Sequence, residues 1–284
     1  MEAISFGQVV RNSWRDAWGF FRDRLGTSLV VTLLLLLCTY VSLTLSPHLD
    51  LSSQAGVHPS LSHVLLAGLL TIAQAALKMG LTVQICRYVL LDAASRPAPF
   101  FGKPFWRYVG TALAAGLTGA GIGIVIVLVA VIAAIVFILG LHGMHPNLQQ
   151  MPPGLTLALI VVLSIALIVT MVLIFVPMTL LLAHAAAGRK FDWRAARQDA
   201  RGHFWSVVGT FFVINLPVWI LSIPALLSIP LSLHVSPDST GTQTGAWYAV
   251  TLSQTLLSLL LLFVSSTCSA WLYRRYADRL LPAA

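Results

Sequence analysis

Charge is what this sequence has least of. Asp, Glu, Lys and Arg make up 9% of its 284 residues, against about 25% in a soluble globular chain. A surface that poor in charge cannot face water all round, and a chain with 58% apolar residues cannot be disordered. Acid is scarcer still, with nine Asp and Glu against 17 Lys and Arg. All nine lie in loops or at the ends of apolar runs: Glu2, Asp16, Asp23, Asp50, Asp92, Asp192, Asp199, Asp238 and Asp278. No apolar run carries a carboxylate near its middle, which argues against an ion relay of the carboxylate type. The three cysteines, Cys38, Cys86 and Cys268, all fall inside apolar runs, so no disulfide framework is implied. Nucleophile-elbow, zincin and phosphate-loop motifs are missing. Enzymatic chemistry has no visible carrier, and neither a cofactor nor a resident metal is expected.

What the chain does have is apolar length. Mean hydropathy is +0.88. Six stretches are long enough to cross a bilayer, at about 25–46, 61–91, 109–141, 154–187, 204–234 and 246–272. Runs such as Val31 to Leu37 show no alternation of polar and apolar residues, so a strand barrel is excluded. The fold class read from this is all-α integral membrane: a six-helix transmembrane bundle in a single membrane domain over 1–284. The first 25 residues are charged throughout and read as lacking a secretory signal, and no lipidation motif is visible.

The basic residues are not scattered. Apart from Lys78, every Lys and Arg falls in one of four segments: before the first run, from Arg87 at the end of the second run to the start of the third, between the fourth and fifth, and after the sixth. The three alternate loops, about 47–60, 142–153 and 235–245, contain none. This positive-inside pattern predicts an even number of spans with both termini cytoplasmic. It also explains the net charge of +8 as an orientation signal. No nucleic-acid partner is expected.

Each odd-numbered span opens on a shared pattern of Phe, three variable residues, Leu or Val, then Gly-Thr. It reads Phe21 to Thr27, Phe105 to Thr111 and Phe204 to Thr210. The pattern is consistent with three repeated helical hairpins, or with convergence at a cytoplasmic membrane boundary. The introducing segments are amphipathic. Ser5 and Gln8 form a capping box for an interfacial helix over 5–22. Phe6, Val10, Trp14, Ala17 and Phe21 fall on one stripe of it, and Arg11, Arg15 and Arg22 on another. Asp192 is placed to cap a second such helix, with Arg194, Arg197 and Arg201 on one face. Between Pro97 and Tyr108 lies an aromatic cluster. Arg11, Arg15, Arg194, Arg197 and Arg201 are therefore the candidate surface for anionic lipid or a partner, or simple topology anchors.

Inside the spans and away from their ends, Lys78 is the only ionisable residue other than cysteine, tyrosine and histidine, about 13 Å along the helix axis from Arg87. Gln74 lies one turn away on the same face. With Asn215 and Gln254 they form a candidate intramembrane polar site, which interhelical hydrogen bonding also explains. Gly119 and Gly123 form a GxxxG face suited to close packing or self-association. His48, His58, His63, His142, His145 and His234 gather toward the opposite side. His142 and His145 form H-x-x-H, but no Cys or Glu supports a metal site there.

At the fourth-to-fifth junction the chain reads Ile174-Phe175-Val176-Pro177, an apolar stretch to His184, and Gly188-Arg189-Lys190. The amphipathic segment Asp192 to Arg201 follows, and then Gly202-His203-Phe204-Trp205. This resembles the membrane domain of some glycerophosphoryl diester phosphodiesterases and the related YciC-like bacterial inner-membrane proteins. Met178 stands where that family usually has Gly. The resemblance implies six spans, an N-terminal amphipathic helix like Ser5 to Phe21, and location in a bacterial inner membrane. It implies no catalytic residues here, because the family's diesterase site belongs to a separate soluble domain. The expectation is a non-enzymatic scaffold or accessory factor for lipid handling or a membrane complex, with membrane lipids as partners. Two alternatives stay open: a transporter or channel for a small or amphipathic solute, and a metal-dependent enzyme working through the histidines.

Overall fold

The computed structural model describes residues 5–45, 61–91, 93, 99–142, 153–233, 240–277 and 280. These form α1 (Phe6–Asp23), α2 (Leu25–Leu45), α3 (Leu61–Leu90), α4 (Lys103–His142), α5 (Pro153–Ala186), α6 (Trp193–Ala200), α7 (Phe204–Leu233) and α8 (Thr240–Tyr276), with no strand among the described residues. Six of them, α2, α3, α4, α5, α7 and α8, are long and apolar enough to cross a membrane. Large apolar side chains such as Leu33, Leu69, Leu117 and Ile168 stand more than half exposed on them. Water would not tolerate that surface, and a bilayer covers it. The chain is an all-α, six-span membrane bundle.

The hairpin partners α2–α3, α4–α5 and α7–α8 pack on each other, but α8 also touches α1, α2, α3 and α5. It is the hub of the bundle, and α3 meets it more extensively than it meets its own partner α2. The sequence of α8 explains this. Between Ser265 and Ala270 every residue is small, which lets neighbouring backbones approach closely. The hydroxyls are satisfied inside the helix, as in Ser269 to the Ser265 carbonyl at 2.9 Å and Thr255 to that of Thr251 at 2.9 Å. Thr267 also reaches across to the Ser13 carbonyl of α1 at 2.9 Å.

Three elements differ from the sequence reading. First, α1 has its expected capping box, with Gln8 N–H donating to Ser5 Oγ at 3.3 Å and Ser5 N–H to Gln8 Oε1 at 2.8 Å. Its deepest stripe, however, is Val9, Ser13, Ala17 and Phe20, rotated by one residue from the stripe expected. The reason is that α1 packs against α8 and α7. Trp271 Nε1 donates to Asp16 Oδ2 at 3.0 Å, and Tyr88 Oη to Asp23 Oδ2 at 2.7 Å.

Second, the third span starts at Lys103, six residues before the expected boundary. Part of the aromatic cluster therefore forms its first turns. Pro104 fits there because a first-turn residue needs no N–H. Phe100 lies against Gly80 of α3, where any Cβ would collide with its ring. Third, Asp192 caps α6 through the Ala195 N–H at 3.0 Å, but Arg201 lies beyond the helix. The chain extends at Arg201 and turns at Gly202, φ +83.

The three Phe–Gly-Thr entries fall near the starts of α2, α4 and α7. Their environments are not equivalent: Thr111 and Thr210 are buried, whereas Thr27 is exposed. At the fourth-to-fifth junction, α5 runs through Pro177 to Ala186.

Candidate functional site

Two of the four intramembrane polar candidates come together. Gln74 and Lys78 of α3 line a cleft of about 310 Å³ with Thr71, with Thr39 and Ser42 of α2, and with Thr255 of α8. The spacing Thr71, Gln74, Lys78 follows one helix face. Leu35 forms part of the wall nearer α1. The cleft sits where α2 and α3 share α8 rather than sealing against each other.

Its chemistry is one-sided. The hydroxyl protons of Thr39, Thr71 and Thr255 go to the carbonyls of Leu35, Ala67 and Thr251 at 2.8, 2.9 and 2.9 Å. The Thr255 hydroxyl also lies 3.4 Å from that of Thr39, and oxygens whose protons are engaged in this way can act only as acceptors. Among the described residues no hydrogen bond or ion pair reaches the Lys78 ammonium or the Gln74 amide. No described carboxylate faces them. A half-buried ammonium without a counter-ion selects an anionic or strongly dipolar group.

The other two candidates lie apart. Asn215 is buried in the α7–α8 seam, where Nδ2 donates to the Phe211 carbonyl at 2.7 Å and Oδ1 accepts from Ser265 Oγ at 2.8 Å. Gln254 is half-buried on α8 and does not line the cleft.

A second cavity was not anticipated. Between α1, α2 and α8 lies an apolar groove of about 340 Å³, lined by Trp14, Trp18 and Phe21 of α1, Leu29 of α2, and Leu256 and Phe263 of α8. Trp18 shares a helical stripe with Arg11, Arg15 and Arg22, and all four are exposed. The only sequence signal for the groove was the aromatic content of α1. Its walls on α2 and α8 are indistinguishable from any other apolar stretch.

The remaining candidates are placed as follows. Arg194, Arg197 and Arg201 are exposed around α6. Among the described residues Arg15 pairs with neighbouring Asp16, at 3.3 Å and with the arginine side chain largely in solvent, a contact that contributes little. Gly119 faces Ile174 of α5, where a Cβ would lie 3.5 Å from Cγ2, so that glycine packs within the chain. Gly123 has open space beside it. His48, His58, His145, His234 and the side chain of His142 lie outside the described residues. Among the described residues no group of three His, Cys, Asp or Glu could hold a metal. Buried His184 is bonded through Nδ1 to Tyr273 Oη at 2.9 Å.

No family model, curated protein or solved structure matches the chain. The six apolar helices define it as a multi-pass membrane protein, and its function is argued from its cavities.

Proposed function

We propose that this is a non-enzymatic protein of a bacterial inner membrane, with both termini cytoplasmic, that holds lipid as a scaffold or accessory factor. The observation that carries the reading is the apolar groove beneath α1 with a stripe of Arg11, Arg15 and Arg22 beside it. An acyl chain fits the lining, and the guanidinium groups suit a headgroup at the interface. The resemblance to the phosphodiesterase membrane domains belongs to the same proposal. A photoactivatable phospholipid tests it. Crosslinks are expected on α1 and the 256–264 stretch of α8, and Leu256→Trp is expected to suppress them. Labelling spread evenly over the exposed faces of α4 and α5 would overturn the reading, as would unchanged lipid retention after Arg11→Gln and Arg15→Gln.

A second reading rests on the cleft at Lys78. An ammonium unpaired among the described residues, in a cleft that also offers hydroxyl acceptors, supports a transporter for a small or amphipathic solute that carries both an anionic group and a hydrogen-bond donor. In a cysteine-free background, Lys78→Cys is expected to react with a charged, membrane-impermeant thiol reagent. No reaction from either side of the membrane would remove this reading.

A further inference from the structure

We propose a separate binding site for the phosphate of an anionic phospholipid headgroup, between α4 and the turn that joins α5 to α6. The turn begins with Gly188 at φ +85, a conformation that suits glycine at a helix C-terminus. Gly188 N–H donates to the Ala185 carbonyl at 2.9 Å and Arg189 N–H to that of His184 at 3.3 Å. This reversal delivers Arg189, Lys190 and Phe191 against α4. There Arg107, Gly110 and Thr111 share a helical face, and the two segments enclose about 320 Å³. Arg107 donates to the Gly188 carbonyl, and Arg189 to the Leu280 carbonyl at 3.3 Å, so both guanidinium groups are held in place with donors to spare.

Three cations thus converge on one cavity. Among the described residues no carboxylate forms an ion pair with any of them. Asp192, the nearest acid in sequence, is engaged in capping Ala195. The Thr111 hydroxyl makes no hydrogen bond among the described residues, whereas its counterpart Thr210 donates to the Ser206 carbonyl. Two guanidinium groups, an ammonium and a free hydroxyl form a donor set for phosphate oxygens. Exposed Phe191, Trp106 and Trp205 mark the level of a membrane interface. That level favours a headgroup over a phosphate from solution. The site does not depend on the groove beneath α1.

Two variants test it with little risk to the fold. Lys190 is exposed, and a Cβ at Gly110 meets nothing within 4 Å, so a side chain can start there and Gly110→Leu extends into the cavity that Gly110 lines. Full-length protein in nanodiscs is titrated with phosphatidylglycerol in a phosphatidylcholine background, and bound lipid is counted by native mass spectrometry. Lys190→Gln is expected to weaken phosphatidylglycerol binding about fivefold, and Gly110→Leu to remove one bound lipid. Leu256→Trp, in the other groove, should leave that lipid in place. Wild-type retention in both Lys190→Gln and Gly110→Leu would overturn the proposal. Equal occupancy by inorganic phosphate in phosphatidylcholine alone would overturn the lipid as its source.

Discussion

At the scale of single residues, polar groups inside the bundle divide by whether they have partners. Asn215 has them on both ends of its amide, so its role is to tie α7 to α8. Asn215→Leu removes both bonds and leaves the Ser265 hydroxyl without its acceptor. Such bonds contribute about 0.6 kcal/mol each in membrane bundles and rarely more than ~1.7. The expected outcome is a loss of about 1–2 kcal/mol in reversible unfolding in detergent, with lipid binding per folded molecule unchanged. Lys78 is the opposite case. Its ammonium is half-buried and unpartnered among the described residues, so it costs stability wherever it does not hold a ligand. A central lysine costs at most ~3.5 kcal/mol on insertion scales, and the cleft relieves part of that. Lys78→Met is therefore expected to raise the unfolding midpoint while abolishing any solute uptake. A variant less stable than the parent would mean that the ammonium serves the fold. Both residues were legible in the sequence as polar groups in apolar runs. Their partners were not, because helix rotation decides whether an amide meets another helix or a cavity.

At the scale of elements, α1 shows what amphipathicity leaves undetermined. Its charged stripe was readable, but its apolar half faces two media. Val9, Ala17 and Phe20 meet the core, while Trp14, Trp18 and Phe21 line the groove. Both faces are equally apolar, so periodicity alone cannot separate them. The deciding residue is Ser13, which looks polar in sequence. It is buried because its hydroxyl bonds back to the Val9 carbonyl at 2.7 Å while its own carbonyl accepts from Thr267. Two ties therefore bolt α1 to α8: Thr267 to Ser13, and Trp271 to Asp16. Thr267→Val combined with Asp16→Ala should free α1 without disturbing the spans. Hydrogen exchange over 6–23 is expected to speed up while 25–45 keeps its protection, and Ser5→Ala alone should fray only the first turn, at about 1 kcal/mol. Coincident exposure of α1 and α2 would show that the two form one unit.

At the scale of the whole molecule, the number of spans followed from composition, because only helices satisfy the backbone in lipid. The hub position of α8 did not follow from it. That position depends on the small residues from Ser265 to Ala270, whose meaning emerges only when the neighbouring helices are in place. Orientation rests on a different kind of signal, distributed over four basic segments that the three opposite loops lack. Because each segment contributes separately, removing one should leave the others sufficient. A reporter active only in the cytoplasm, fused after Ala284, is expected to be active. It should stay active when Arg274 and Arg275 are changed to Gln. Placing the same reporter within 47–60 should silence it, and placing it between Phe191 and Asp192 should not. An active reporter within 47–60, or a silent one at the C-terminus, would reverse the assigned orientation. The basic pocket at Arg189 and the arginine stripe of α1 would then face the other leaflet. The headgroup chemistry proposed for them would have to be sought in the lipids of that surface.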